Sequence, residues 1–373
     1  MRIALFTDTY DEINGVSNTF HKLVEYAKKH DKQLEVFTLA NKNTKERIGK
    51  HIIIHRYKPR LPIQLYEENK FDLRFLQEDI IGYFKNNSFS LIHTATPGSM
   101  GLTALFIARW FNIPLIGSYH TSLPEYVQKM VDDTAKKINW FDKKVGKRFH
   151  NVTWSYMKWY YNKCRLVLSP SQFTCNQLKR KLSTKIRIFS RGVDTKLFHP
   201  AKFKFNRKPI AIYVGRLSIE KNLDILIKCF SSRKDCSLKL VGSGPYEQEL
   251  KKRLSNAKFL GYLSGKRLAR AYSKADFFLF PSTTDSFGNV VLEAMASGLP
   301  VIVSNKMGPK ELVTNDVNGY VSGLKDFNNK IDILVKNKKL RKRMGKEARH
   351  YALTRSWDKV FSKLFEDYSS VIS

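Results

Sequence analysis

The stretch from Ala275 to Val303 constrains the fold more than any other. Ala275-Asp276-Phe277-Phe278-Leu279-Phe280 is a short apolar run that stops at a proline, and Val301-Ile302-Val303 is a second. Both have the length and the aromatic or β-branched character of buried strands. Between them, Asp285 and Ser286 are capping residue types, and Gly298 followed by Pro300 closes a helix. Such a strand–loop–helix–strand unit carries a helix N-terminus to the carboxyl edge of a parallel sheet, where open α/β sheets bind ligands. Two carboxylates frame the unit, Asp285 at the helix mouth and Glu293 about two turns in. A carboxylate accepts hydrogen bonds from vicinal hydroxyls, so the pair suits a sugar or a ribose. The competing reading is an acidic cap and a glutamate favoured by the helix dipole.

The same alternation runs through the whole chain. Apolar runs lie at 2–7, 34–39, 52–57, 91–94, 115–119, 166–171 and 186–189, with segments of helical periodicity between several of them, as an α/β layout requires. At 373 residues there is room for two domains, each with its own core. The polar, basic run 201–209 reads as a linker. It divides a first domain, 1–200, from a second, 201–349, leaving a terminal segment, 350–373, whose final helix, 357–368, carries core-spaced Val360, Phe361, Leu364 and Phe365.

In the second domain, strand 210–214 opens onto Gly215-Arg216-Leu217-Ser218-Ile219-Glu220-Lys221. Two cations five residues apart on a loop entering a helix can hold both phosphates of a diphosphate without a metal. Pairing of Arg216 or Lys221 with Glu220 is the plainer alternative. Lys239-Leu240-Val241-Gly242-Ser243-Gly244-Pro245 repeats the passage from strand to glycine loop. In the first domain the loop Asp8 to Ser17 carries Tyr10, Asn14 and Gly15, and an Asn-Gly pair by itself is only a turn signal. His120 follows a strand in Ser118-Tyr119-His120-Thr121-Ser122, where a lone histidine is commonly structural.

The formal net charge of +33 implies affinity for polyanions. The most unusual basic stretch is 136–165, where Lys143, Lys144, Lys147 and Arg148 interleave with Trp140, Trp154 and Trp159, three of the five tryptophans in the chain. Cations for phosphates beside Trp at a headgroup boundary suit an interfacial helix on an anionic membrane. A solvated basic face with its aromatics in the core has the same spacing, and so has a stacking surface for single-stranded nucleic acid. No apolar run is long enough to span a bilayer. Met1–Phe6 reads as a strand rather than a leader, and Cys164, Cys175, Cys229 and Cys236 lack metal or disulfide spacing. The expectation is a reduced, cytoplasmic protein, peripheral on the inner face of the cell membrane.

Taken in order, these motifs resemble those of family 4 retaining glycosyltransferases. The resemblance covers essentially the whole chain and implies the GT-B fold, two Rossmann-like domains facing each other across a deep cleft with the terminal helix returning to the first. It implies a nucleotide-sugar donor on the second domain, with Glu293 at the ribose and Arg216 and Lys221 at the diphosphate. Gly244 would lie near the nucleotide, and Phe287, Gly288 and Asn289 around the sugar. Asp285 stands where the family commonly has Glu. His120 would touch the donor sugar near the reacting carbon, Gly15 the diphosphate, and Tyr10 and Asn14 the acceptor. Retention without an essential metal or tightly bound cofactor is implied as well. The wording at 118–126 and 281–293 is similar to diacylglycerol α-glucosyl- and galactosyltransferases, which implies a UDP-sugar and a lipid acceptor. GDP-mannose-dependent mannosyltransferases share much of it, and a polysaccharide acceptor also fits. The non-enzyme alternative is a basic nucleic-acid binder, although nothing in the sequence specifies a nucleic acid.

Overall fold

The computed structural model describes every residue except 13, 60–61, 65–69, 73–77, 121–122, 138–144, 202–205, 207 and 373. The chain divides into two compact units, Met1–Ser190 with Asp358–Ser373, and Arg191–Trp357.

In the first unit the strands are β1 (Arg2–Thr7), β2 (Gln33–Leu39), β3 (Thr44–Arg47), β4 (Ile52–Tyr57), β5 (Pro62–Gln64), β6 (Lys70–Asp72), β7 (Leu91–Thr94), β8 (Leu115–Ser118), β9 (Leu166–Ser169) and β10 (Ile186–Ile188). Its helices are α1 (Gly15–Lys29), α2 (Glu78–Lys85), α3 (Ser99–Trp110), α4 (Leu123–Lys137), α5 (Val145–Tyr161) and α6 (Gln172–Lys179). Eight strands form one sheet in the order β10-β9-β8-β7-β1-β2-β4-β3, parallel except for β3, while β5 and β6 pair as a separate hairpin. The parallel strands are apolar and buried along nearly their whole length, which follows from helices covering both faces. Strand β3, Thr-Lys-Glu-Arg, is exposed at all four residues, so no hydrophobic pattern announces it.

The second unit holds β11 (Ile210–Val214), β12 (Ser237–Val241), β13 (Lys258–Phe259), β14 (Phe277–Phe280), β15 (Val301–Ser304) and β16 (Gly319–Ser322). Its helices are α7 (Asp224–Phe230), α8 (Glu247–Arg253), α9 (Gly265–Ser273), α10 (Asn289–Ala296), α11 (Phe327–Lys336) and α12 (Lys338–Leu353). The order β13-β12-β11-β14-β15-β16 is wholly parallel and is the doubly wound dinucleotide-fold order. Its switch point, where the winding reverses, lies between β11 and β14. The last helix, α13 (Trp357–Ile372), belongs to the first unit from Asp358 onward, with Phe361 and Phe365 against Tyr26 of α1.

The division between units falls at Ser190, ahead of the boundary at 200 expected from composition. Residues 191–200 are tied to the second unit by their backbone. The Val193 amide donates to Arg355 O at 2.9 Å, and the Arg349 guanidinium donates to Thr195 O, Phe198 O and Ala296 O. The polar run 201–209 therefore follows a segment already committed to the second unit.

Candidate active site

The loops leaving β11 and β14 carry the donor-side residues expected from sequence, and they emerge side by side at the switch point. The loop after β11 is held against that after β12 by paired backbone hydrogen bonds, Gly215 N to Val241 O at 3.0 Å and Leu217 N to Ser243 O at 2.9 Å. The approach is close enough to require glycine. A Cβ on Gly242, whose φ is +132°, would stand 2.0 Å from Gly215 O, and one on Gly244 would stand 2.4 Å from Leu217 O. This interlock sets the loop bearing Arg216. The Tyr213 hydroxyl donates to Arg216 O at 3.0 Å, while the Arg216 guanidinium, partly exposed, has no ion-pair partner among the described residues.

Lys221 ends a short 3-10 turn, Ile219–Lys221, and its Nζ donates to both carboxylate oxygens of Asp285, at 3.0 and 2.9 Å. The neighbouring Asn222 Nδ2 donates to Thr283 Oγ1 at 2.8 Å, so two consecutive residues of the β11 loop are tied to the β14 loop. Glu220, the partner considered from sequence, instead accepts from the Ser218 hydroxyl. The pairing of Lys221 with Asp285, 64 positions along the chain, brings together two residues that sequence reading had assigned separately.

Asp285 does not cap the following helix. Helix α10 begins at Asn289, behind Gly288 in the left-handed conformation (φ +86°), so the run 282–288 is loop. Phe287 is buried beneath it, and the Gly308 amide donates to Asp285 O at 3.2 Å. Glu293 consequently sits in the second turn of a shorter helix, nearer its start than the sequence suggested. Its carboxylate accepts from the Tyr272 hydroxyl at 3.1 Å, and burial raises its pKa to about 7. Tyr272, on α9, was not foreseen as part of the site, because its partner is 21 positions away.

In the first unit, His120 follows β8 and is buried, with Phe20 edge-on at 5.4 Å and Phe189 at 6.3 Å. Asn14 is a helix cap: its Oδ1 accepts from the amides of Val16 and Ser17, at 2.9 and 2.8 Å. Gly15 is the first residue of α1. The Tyr10 ring is buried against His21 at 4.1 Å, so its side chain serves packing and its carbonyl anchors Ser17 and His21. Asp8, absent from the expected set, occupies the N-terminus of α3, where its carboxylate accepts from the Thr96 hydroxyl at 2.5 Å and the Met100 amide at 2.9 Å. That helix end is already satisfied by an acid of the chain itself.

The basic aromatic segment splits into two faces. Trp154, expected at the membrane, is a core residue, ring-stacked with Tyr119 at 6.4 Å and covered by Lys181 Nζ at 3.7 Å. Met157, Tyr160 and Tyr161 share its buried face. Trp159 lies five residues on, about 140° around the helix, and is 49% exposed, together with Phe149 and Val152. Lys147 and Arg148 are exposed beside Phe149. Lys143 and Lys144, with Trp140 and Phe141, lie outside the described residues. Residues 143–193 contain thirteen Lys or Arg and no Asp or Glu. Among the described residues no helix is long and apolar enough to cross a membrane, and no three His, Cys, Asp or Glu cluster as a metal site.

Two parallel-sheet units in one chain, the second wound in dinucleotide-fold order with its glycine-bearing loops at the switch point, have a GT-B architecture. Residues 13–197 match the Glycosyltransferase Family 4 description and residues 194–351 match Glycosyl transferases group 1. The chain belongs to this family of GT-B glycosyltransferases.

Among curated relatives, it is 28% identical to a sulfoquinovosyl transferase of Arabidopsis thaliana, over all of this chain and 74% of the relative. It is 26% identical to a GDP-mannose-dependent α-mannosyltransferase of Corynebacterium glutamicum, over all of this chain and 90% of that one. It is 27% identical to an α-monoglucosyldiacylglycerol synthase of Streptococcus pneumoniae, over 86% of this chain and 74% of that one. Sucrose-phosphate synthase of Thermosynechococcus elongatus superposes with a TM-score of 0.82 at 20% identity, covering 99% of this chain and 98% of that one. An Anabaena protein solved with UDP and glucose superposes at 0.73 and 19% identity, covering 99% of this chain and all of that one.

Proposed function

We propose that this glycosyltransferase moves glucose or galactose from a UDP-sugar to a hydroxyl of a membrane lipid, diacylglycerol in the first instance, with retention at the anomeric carbon. The observation that carries the reading is the set of charged groups at the switch point of the second unit: Arg216 without an ion-pair partner among the described residues, Lys221 held by Asp285, and a half-buried Glu293 on the helix that follows. The diphosphate takes the two cations, and Glu293 accepts from the ribose hydroxyls. As the bond from the anomeric carbon to the β-phosphate oxygen breaks, negative charge grows on the departing phosphate, so the cations stabilise the transition state more than the ground state. The acceptor oxygen bonds to the same face of that carbon and its proton passes to the leaving phosphate. His120 orients the sugar. No step calls on a metal.

The lipid acceptor is supported by the relative named for diacylglycerol and by the exposed Phe149, Val152 and Trp159 within an acid-free basic stretch. Apolar side chains entering the headgroup boundary beside cations favour anionic bilayers, which supports a peripheral site on the membrane surface. The relatives named for GDP-mannose support a second reading, mannosyl transfer by the same machinery. A panel of radiolabelled UDP- and GDP-sugars with diacylglycerol vesicles separates the two. Labelled glycosyldiacylglycerol from UDP-glucose or UDP-galactose is expected; labelling from GDP-mannose alone, or only of a soluble acceptor, overturns the first reading.

The two faces of α5 make separable predictions. Phe149→Ala combined with Trp159→Ala lowers co-sedimentation with phosphatidylglycerol vesicles at least several-fold and leaves thermal unfolding nearly unchanged. Trp154→Ala removes a buried ring and costs about 3–5 kcal/mol, seen as a drop of several degrees in Tm. Equal behaviour of the two variants in both assays contradicts the assignment of faces.

A further inference from the structure

The Tyr272 hydroxyl has one proton and two acceptors within reach, Glu293 Oε2 at 3.1 Å and Val290 O at 3.2 Å. Its ring is fully buried, held by Phe198 edge-on at 5.8 Å and by Phe278 at 5.9 Å, so the oxygen has little freedom to move. Both acceptors lie on α10, one turn apart. Among the described residues no cation forms an ion pair or hydrogen bond with Glu293. Strands β14 and β15 carry no ionisable side chain, Arg349 of α12 is spent on the far end of the helix at Ala296 O, and Lys310 and Glu311 lie on the turn Gly308–Leu312. Tyr272 is the side-chain hydrogen-bond partner of Glu293.

We propose that Tyr272 is a positioning residue for donor binding, holding Glu293 as a carboxylate aimed to accept from the ribose. A pH dependence of nucleotide affinity follows, carried by Glu293, with the Tyr272 hydrogen bond setting its midpoint. The proposal rests on the ribose role of Glu293. A carboxylate has lone pairs on both oxygens, so the ribose hydroxyls donate to it while Tyr272 keeps its bond to Oε2; when Glu293 is protonated, Tyr272 turns its proton to Val290 O, so neither state strands a buried donor. The sign of the pH effect follows from burial. Desolvation has raised Glu293 from 4.5 to about 7, so the neutral acid predominates below that pH and the accepting carboxylate above it. Affinity therefore increases as pH rises through 7. A hydrogen bond to the charged form favours that form, so its loss moves the midpoint up and its strengthening moves it down.

Calorimetric titration of the full chain with UDP and with GDP from pH 5.5 to 8.5 tests this, with Glu293→Gln as the reference that retains the titration of the nucleotide's own phosphate. Relative to that reference, wild-type affinity tightens about tenfold between pH 6 and 8. Tyr272→Phe keeps the ring packing and weakens binding at pH 7 about three- to tenfold, with its midpoint displaced upward. 3-Fluorotyrosine at position 272, a stronger donor, displaces the midpoint downward. Superposition of the wild-type and Glu293→Gln profiles overturns the ribose role itself. A wild-type profile that differs from Glu293→Gln, with both Tyr272 variants coincident with wild type or shifted in the same direction, overturns the positioning role alone.

Discussion

Lys221→Ala lowers kcat/KM for sugar transfer by two to three orders of magnitude, a range of about 10²–10³ for removal of one preorganised charge that faces developing negative charge. The loss falls mainly on kcat, because the cation is worth most when the diphosphate leaves. A second effect compounds it. Asp285 accepts from Lys221 through both oxygens, with side-chain exposures of 19% for the lysine and 25% for the acid, so truncation leaves an unpaired carboxylate beside an anionic substrate. Asp285→Asn in the Lys221→Ala background recovers part of the activity by removing that repulsion. Steady-state kinetics of the single and double variants at saturating acceptor, with Tm as the control for folding, decide the matter. A loss below tenfold for Lys221→Ala sinks the role assigned to it.

Gly242→Ala produces the largest expected change in stability. The added methyl would lie 2.0 Å from Gly215 O, a backbone atom that cannot rotate away, at a φ of +132° that L residues rarely adopt. Strain and the forced separation of the β11 and β12 loops together cost about 3 kcal/mol or more, read as lower Tm of the second unit or as insoluble expression. Gly261→Ala is the matched control. Its φ is +65°, but nothing lies within 4 Å of the added atom, so the cost is only about 1–2 kcal/mol. Equal effects at the two positions would falsify the claim that the glycine loops interlock. Whatever folded Gly242→Ala protein remains binds nucleotide poorly, since the loop that moves carries Arg216.

How much of this was legible beforehand depends on the range of each interaction. The strands and most helices were readable because their signals are local: apolar runs of strand length, Gly298 at a helix end, glycines wherever a strand turns into a loop. That the β11 and β14 loops are neighbours was readable for a related reason, since loops at the carboxyl ends of parallel strands converge whatever the details of packing. Roles that depended on orientation were less legible. Trp154 and Trp159 carry the same residue type within one helix, and basic neighbours fit either face, so only the position of the sheet separated core from surface.

Composition and periodicity alone determined an α/β chain with room for two cores, an extreme positive charge, and cationic and acidic residues on the loops of the second half. Tertiary structure decided that Lys221 pairs with Asp285 rather than Glu220, that α10 starts at Asn289 and so brings Glu293 near its beginning, that Tyr272 reaches that acid, and that residues 191–200 belong to the second unit. The physical reason is that hydrogen bonds and ion pairs act over a few ångströms. Partners 21 or 64 positions apart meet only after sheet order and helix packing have set which loops are neighbours, and no local pattern encodes that distance.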